Sequence, residues 1–196
     1  MVNIPSDNWQ PSALENSILN HWPDGTLLLT EDGRCVDSNR LGRRICDRIA
    51  QETGSADSIP HEIWQTCRIL IQSRRQFPHH LTTAESELSL RQSLDSFRIR
   101  AQWLNTGQGF DPHILVVLEN QTIARQNLAK TEAIRYAFSP READVWELHR
   151  IGYRYQEIAK KLHIAINTVK KHMKNTYAKQ NVVSLVKEGY TNNFAS

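Results

Sequence analysis

Cysteine is scarce in this sequence, and long apolar runs are absent from it. Its 196 residues include only three cysteines, Cys35, Cys46 and Cys67, and no CxxC pair. An odd number of isolated cysteines argues against a disulfide framework and against a cysteine-ligated zinc site. No stretch approaches the roughly 20 apolar residues of a membrane span, and the first ten residues lack the pattern of a secretory signal. We therefore expect a cytoplasmic protein with no membrane segment.

Acidic residues are missing from one long stretch near the C-terminus. None lies between Glu157 and Glu188, whereas seven lysines do. Residues 138–196 carry ten Lys or Arg against five Asp or Glu, so they account for more than the whole net charge of +3. A single basic run is usually a solvated helix face, but depletion of acids over a whole subdomain creates a positive field that attracts polyanions.

The motifs of common enzymes are also absent. The sequence holds no phosphate-binding glycine loop, no metal-ligand spacing and no nucleophile–base arrangement. We therefore expect a protein that is not an enzyme.

The first recognisable structural signal is a β-hairpin. Asp32-Gly33 separates two short runs, residues 26–30 and 34–38, that have the composition of strands. Glycine supplies the positive φ that such a tight turn requires, so the pattern predicts two antiparallel strands.

The rest of residues 12–119 alternates between helical and strand periodicity. Residues 39–50 and 59–72 have apolar side chains at helical spacing, and residues 96–103 alternate between apolar and polar side chains. Residues 113–118 form a mostly apolar strand. Hairpins on either side of a helical middle predict an α+β domain with one antiparallel sheet.

The segment from Asp24 to Asn39 resembles the first hairpin of PAS domains, in which an asparagine opens the following helix. The resemblance implies a PAS-like sensor or dimerisation domain over residues 12–119. Glu31-Asp32 superficially suggests the acidic pair of a phosphorylated receiver domain, but a receiver needs alternating parallel strands and helices, which the pattern does not show.

Residues 120–137 contain no glycine or proline and are rich in helix formers, so they predict a linker helix. A weak apolar seam runs through this region with spacings of three and four: Val117, Gln121, Ala124, Leu128 and Thr131. Two positions of the seam are polar, so a dimerisation helix and an exposed amphipathic connector both remain open.

A strong helix-start signal opens residues 138–196. Ser139 can cap the helix, Pro140 fits its first turn, and Glu142 can bond back to the cap backbone. Apolar spacing then predicts four helices, at about 140–150, 155–162, 167–179 and 184–190. Two short helices joined by a tight turn form a helix-turn-helix, whose second helix reads DNA.

The run from residue 138 to residue 182 resembles the LuxR-type (GerE-like) helix-turn-helix almost throughout. The matching elements are Ser139-Pro140-Arg141-Glu142, Gly152, Glu157-Ile158-Ala159, Leu162, Ile164, Thr168-Val169-Lys170, His172, Asn175, Tyr177 and Lys179. The sequence departs from the family pattern at four positions: Arg154, Ala165, Gln180 and Asn181. The first two replace helix caps, so we expect Asn167 to cap the third helix at a shifted position.

The resemblance implies a DNA-binding transcription factor with its recognition helix at about residues 167–179. Helical spacing places Asn167, Lys170, Lys171 and Lys174 on one basic stripe, which we expect in the major groove. By resemblance, the lysines reach base edges or phosphates, and Thr168 and Tyr177 contact the DNA backbone. The expected partners are double-stranded DNA, a second copy in a homodimer, and RNA polymerase or a signalling protein.

One reading from another class stays open: an adaptor that uses the helix-turn-helix to bind a protein partner. An adaptor does not need lysines across its third helix, so the lysine stripe favours DNA. An acyl-homoserine-lactone sensor is disfavoured because the region before residue 138 is short for it.

No cofactor is predicted, although several residues are candidate ligands or sensors. Haem or a small molecule in the PAS-like domain is the alternative, with the candidate histidines His61, His79, His80 and His113. Cys46 lies in a stretch that echoes a flavin-adduct motif with the wrong spacing. Cys35 and Cys67 are candidate redox sensors, which would require exposed thiols of lowered pKa.

Overall fold

The computed structural model describes Ser17 and residues 21–55, 57–78, 83–93, 95–104 and 112–192, with the backbone alone for residues 183–192. The chain divides into two compact units, Met1–Gln121 and Thr122–Ser196. The expected start of the first domain at residue 12 and the candidate ligands His79 and His80 lie outside the described residues. In the part of the chain that is described, no helix is long and apolar enough to cross a membrane.

The first unit is an α+β fold built on one antiparallel sheet, which confirms the predicted fold class. Its elements are β1 (Gly25–Thr30), β2 (Cys35–Ser38), α1 (Arg40–Thr53), α2 (His61–Gln76), β3 (Thr83–Ser89), β4 (Ser96–Leu104) and β5 (His113–Asn120). The five strands lie in the order β2-β1-β5-β4-β3, and every neighbouring pair is antiparallel. Two helices lie between the second and third strands. Together with the strand order, they give the expected PAS-like arrangement.

The predicted hairpin is confirmed at β1 and β2. Gly33 adopts a φ of 89°, and its N–H donates to the carbonyl of Thr30 at 3.0 Å. The Thr30 hydroxyl accepts a hydrogen bond from the backbone N–H of Arg34 at 3.0 Å, which closes the turn a second time. A Cβ on Gly33 would also lie 3.1 Å from the ring of Trp64, so both the backbone conformation and the packing require glycine here.

The core of this unit lies on one face of the sheet, between the strands and the two helices. Period-two alternation sends the apolar side chains of β1, β4 and β5 to that face, where α1 and α2 cover them. The side chains that are largest and most completely buried are Leu27, Leu29, Ile49, Ile63, Leu70, Phe97, Ile99, Ile114 and Leu118.

The environments of the cysteines do not suit thiol chemistry. Cys46 and Cys67 are buried in this core, and burial raises the pKa of each thiol to about 12. Cys35 is exposed, but partial burial of its sulfur and the nearby Asp37 raise its pKa as well. A raised pKa depletes the reactive thiolate.

Asn39 joins helix α1 to strand β1. Its side-chain oxygen caps the helix by accepting the N–H of Gly42 at 2.7 Å, and it also accepts the N–H of Thr26 at 3.0 Å. Its amide donates to the carbonyl of Asp24 at 2.9 Å. Gly42 permits this close approach, because a Cβ there would lie 2.6 Å from the carbonyl oxygen of Thr26.

The second unit is helical. Its elements are α3 (Gln121–Arg135), α4 (Pro140–Ile151), α5 (Tyr155–Leu162) and α6 (Ile166–Asn192). The predicted linker segment is helix α3, which contributes Ala129 to the same buried cluster as Val145, Trp146, Ile158 and Met173. Helix α3 is therefore part of the packed core of this unit.

The prediction of a separate fourth helix at residues 184–190 is wrong, because α6 runs without a break to Asn192. The recognition helix was expected to end near Lys179. Helices commonly end at a glycine in the left-handed conformation, and the family's glycine is replaced by Asn181 in this sequence. Asparagine adopts that conformation less readily than glycine, and the chain continues through Asn181 as helix.

We predict that Asn39→Ala lowers the free energy of unfolding of the first unit by about 2–4 kcal/mol. The change removes a helix cap and leaves the part-buried N–H of Thr26 and the carbonyl of Asp24 without this partner. Chemical denaturation monitored by circular dichroism measures the effect. Gln51→Ala, an exposed change on the same helix, serves as the control and should shift stability by less than about 0.5 kcal/mol. Equal stability of the two variants would contradict the role of Asn39.

Candidate nucleic-acid interface

Helix α4 begins and ends as its sequence predicts. The Ser139 hydroxyl accepts the N–H of Glu142 at 3.4 Å, and Oε2 of Glu142 accepts the N–H of Ser139 at 2.8 Å. Pro140 occupies the first turn, and Gly152 ends the helix at a φ of 114°. This reciprocal capping fixes the first turn of α4, on which the Glu142 carboxylate is held.

Helix α5 and the turn after it complete the predicted helix-turn-helix. Arg154 precedes α5 and has no acceptor with which to cap it, but its N–H donates to Oε2 of Glu157 at 2.7 Å. His163 ends the helix in the left-handed conformation, with a φ of 54°. The N–H of Ile164 then bonds the carbonyl of Ala159 at 3.0 Å, which reverses the chain within three residues.

The start of α6 differs from the expectation by one residue. Asn167 is not the cap of this helix; it lies inside the first turn, because α6 begins at Ile166. The carbonyl of Ala165 accepts the N–H groups of Thr168 and Val169 at 2.9 and 3.2 Å. Alanine at this cap position has no side-chain acceptor. The side chain of Asn167, inside the first turn, is exposed.

The two faces of α6 are chemically distinct. Val169, Met173 and Thr176 are buried against α4 and α5. The opposite face carries the polar residues predicted for the recognition helix, all exposed: Asn167, Lys170, Lys171 and Lys174. The structure therefore brings the four residues together on one surface, which we call the lysine stripe.

In the described part of the chain, the lysine stripe has no carboxylate partner. Among the described residues, none of its three lysines forms an ion pair, whereas Lys179 on the same helix pairs with Glu142. No acidic residue occurs on α6 before Glu188. The stripe thus presents uncompensated positive charge together with hydrogen-bond donors.

Thr168 and Tyr177 flank the stripe. Thr168 is half-buried, and the Tyr177 side chain is 44% exposed. The ring of Tyr177 packs edge-on against Trp146 of α4, with ring centroids 5.7 Å apart. Its hydroxyl lies 3.4 Å from Nε2 of His149, whose pKa is lowered by burial and by the nearby Arg150. A neutral His149 can therefore pair with the Tyr177 hydroxyl.

One ion pair locks α6 onto the start of α4. Nζ of Lys179 lies 2.6 Å from Oε2 of Glu142 and also donates to the carbonyl of Ala137 at 2.9 Å. Burial raises the pKa of Glu142, but hydrogen bonds from Lys179, from the backbone and hydroxyl of Ser139, and from Asn175 outweigh burial and lower it to about 2. The carboxylate is therefore ionised at all physiological pH values.

Sequence reasoning missed two features of this unit. One is the ion pair between Glu142 and Lys179, and the other is the packing of α3 against α4. Both residues of the pair belong to the family pattern, but their spacing along the chain does not reveal that they meet. The sequence did offer one signal for the packing of α3: the small residue Ala129 lies on the face opposite Ile123 and Ile134, where another helix can approach closely.

The described residues hold no group of three His, Cys, Asp or Glu side chains that could ligate a metal ion. Of the candidate haem ligands, His61 lies at the start of α2 and His113 at the start of β5.

We predict that unit two loses stability as the pH falls from 4.5 toward 2. The pKa of Glu142 is about 2 in the folded state against 4.5 for the unfolded chain, so its contribution is complete above pH 4.5 and disappears as the folded carboxylate is protonated. We expect a loss of about 1–3 kcal/mol. Glu142→Gln should flatten this part of the stability profile, whereas Glu147→Gln on the same helix should preserve it. If the stability of Glu142→Gln fell with pH as steeply as that of the unmodified protein, the Glu142 carboxylate would not be the source of the pH dependence.

Comparisons with known structures give neighbours of low identity, among them the following three. VqmA from Vibrio cholerae, described as a dimer in the absence of target DNA and as a LuxR-type receptor, is 14% identical over 86% of this chain and 81% of its own, with a TM-score of 0.37. The PAS domain of an HTR-like protein from Haloarcula marismortui is 12% identical over 54% of this chain and 92% of its own (TM-score 0.30). The LOV protein of Rhodobacter sphaeroides is 13% identical over 90% and 94%, respectively (TM-score 0.31).

No curated protein matches the chain significantly. The model of the family "Bacterial regulatory proteins, luxR family" matches residues 136–188. The match spans α4, α5 and most of α6, which are the elements that carry the capping box, the tight turn and the lysine stripe. Residues 136–188 therefore form a helix-turn-helix domain of the LuxR family of bacterial regulatory proteins.

Proposed function

We propose that this protein is a sequence-specific, double-stranded-DNA-binding transcription regulator, controlled through its PAS-like first unit, that places α6 in the major groove. The observation that carries the proposal is the lysine stripe, whose charges are uncompensated while the opposite face of the same helix is buried. A helix fixed in this way can enter the major groove, which admits one α-helix.

Each residue of the proposed interface has a distinct chemical role. Lys170, Lys171 and Lys174 can donate to guanine acceptors or neutralise phosphates. The exposed amide of Asn167 can pair with adenine, and the hydroxyls of Thr168 and Tyr177 suit backbone phosphates. The protein carries out no reaction in this role.

We propose that the regulator acts in the bacterial cytoplasm as a homodimer that reads a two-fold site, since each copy supplies only one recognition helix. The outer side of α3 supports this proposal, because Ile123, Leu128 and Ile134 are large, apolar and exposed there; Ile134 is 84% exposed. RNA polymerase or a signalling protein is a further proposed partner. An adaptor that binds protein through α6 is the rival function, and the lysine stripe disfavours it.

We predict that Lys170→Ala with Lys174→Ala weakens DNA binding without unfolding the protein. Exposed helix positions usually change stability by less than about 0.5 kcal/mol. A lysine that pairs only with phosphate should lower affinity on all sequences and reduce the salt slope by about one. A lysine that reads a base should cost about 1–3 kcal/mol on the selected site and less elsewhere. Titrations at several salt concentrations on a site selected in vitro and on a scrambled duplex separate the two roles.

Two control variants make this experiment specific. Lys130→Ala removes an exposed charge from α3 and should leave binding nearly unchanged. Val169→Asp should abolish binding by unfolding unit two, because it buries a charge in the core face of α6. Wild-type affinity in the double lysine variant would refute the placement of α6 in the groove and favour the adaptor.

We predict that the protein sediments as a dimer at micromolar concentration or on DNA, with half-site centres about 34–36 Å apart. Ile134→Lys should weaken the dimer, because it places a charge on the exposed apolar side of α3, whereas Gln126→Lys on another side of the helix should not. Monomers alone, with and without the selected DNA site, would contradict the dimer.

A further inference from the structure

Helix α3 touches the aromatic core of unit two through one carboxylate. Oε2 of Glu132 accepts a hydrogen bond from Nε1 of Trp146 at 2.7 Å and lies 3.2 Å from Nε of Arg150. The Glu132 side chain is largely buried, with 17% exposed. Glu132 precedes the first residue of the family match by four positions.

The two partners of Glu132 also contact each other. The guanidinium of Arg150 lies over the ring of Trp146, 5.8 Å from its centroid. One carboxylate therefore accepts the indole N–H and lies at ion-pair distance from the cation above the indole face. Trp146 is 5% exposed and also packs against Phe138 and His149, and this contact adds a fixed acceptor for its indole N–H, which favours one orientation of the ring.

Trp146 in turn supports the recognition helix. Its ring meets that of Tyr177 edge-to-face, at 5.7 Å and 88°. Edge-to-face geometry depends on ring orientation, because the positive edge of one ring must point at the negative face of the other. Loss of Glu132 would remove the acceptor that holds the indole N–H, so the edge-to-face contact of Trp146 with Tyr177 would shift.

The end of α3 is tied to α6 by a second route. The N–H of Phe138 bonds the carbonyl of Ala133 at 2.9 Å, and Ala137, with a φ of 49°, directs its carbonyl to Nζ of Lys179. Helix α3 is thus linked to the recognition helix through Trp146 and through the carbonyl of Ala137, two residues beyond its end.

We infer that Glu132 is a positioning residue for DNA binding, which orients Tyr177 on the recognition helix through Trp146. This inference rests on the proposed function. If Glu132 has this role, α3 contributes to DNA binding although it precedes the residues that match the family. Because α3 follows the last residue of β5 directly in the chain, a displacement of α3 would reach the recognition helix through this residue.

The test uses the full chain with Glu132→Ala and Glu132→Gln. Alanine removes the acceptor, and we expect about 2-fold to 30-fold weaker binding to a selected duplex, measured by fluorescence anisotropy. Glutamine keeps an acceptor oxygen for the indole N–H and should restore most of the affinity. Ile158→Val, a buried change elsewhere in the same core, controls for simple loss of stability, with all measurements made well below the melting transitions.

NMR signals test, without DNA, whether Glu132 orients Tyr177 through Trp146. The indole N–H signal of Trp146, identified with Trp146→Phe, and the ring signals of Tyr177, identified with Tyr177→Phe, should both shift in Glu132→Ala. In Glu132→Gln and Ile158→Val, the Tyr177 signals should stay near their positions in the unmodified protein.

Three outcomes would overturn the inference. The first is wild-type affinity in Glu132→Ala while the double lysine variant loses binding. The second is an equal loss of affinity in Ile158→Val, and the third is a Tyr177 signal unmoved by Glu132→Ala. If the double lysine variant also binds as tightly as the unmodified protein, the proposed function fails. In that case the Tyr177 signal alone tests whether Glu132 orients Tyr177 through Trp146.

Discussion

Lys179 places its ammonium 2.6 Å from a carboxylate, Glu142, that is almost fully buried. Removing Lys179 would leave this carboxylate buried and uncompensated, which destabilises the folded state. Helix α6 therefore cannot slide or rotate by a turn without separating Lys179 from the Glu142 carboxylate. The capping box of α4 holds Glu142 in place, and the pair then fixes which face of α6 turns outward. The pair acts together with Val169 and Met173, on the buried side of α6, to keep the lysine stripe on the outer face.

Much of the fold follows from local sequence signals. The Asp32-Gly33 turn, the Ser139 capping box and the Gly152 helix end each depend on neighbouring residues, and each lies where the sequence predicts. Alternation along β4 likewise determines which of its side chains enter the core. These features are predictable because their physical causes, a positive φ or a free backbone N–H, are satisfied within a few residues.

Other features depend on residues far apart in the chain, and sequence reasoning did not find them. Glu142 and Lys179 are 37 positions apart, and Glu132 and Trp146 are 14 apart. Neither spacing has a period that predicts contact. The prediction of where α6 begins and ends failed for a different reason. The family pattern supplied a cap and a break that this sequence lacks, so Asn167 lies inside the helix and the chain continues past Asn181 as helix.

The lysine stripe works against the stability of the helix that carries it. Lys170 and Lys174 are four residues apart on one face, and like charges at this spacing destabilise a helix by about 0.2–0.5 kcal/mol. A helix selected only for stability would place an acid at one of these positions. Sequences tend to break such local rules at functional sites and to offset the cost elsewhere. Here the offset is the buried side of α6, where Val169, Met173 and the Lys179 ion pair hold the helix in place while its outer face remains cationic and available to a polyanion.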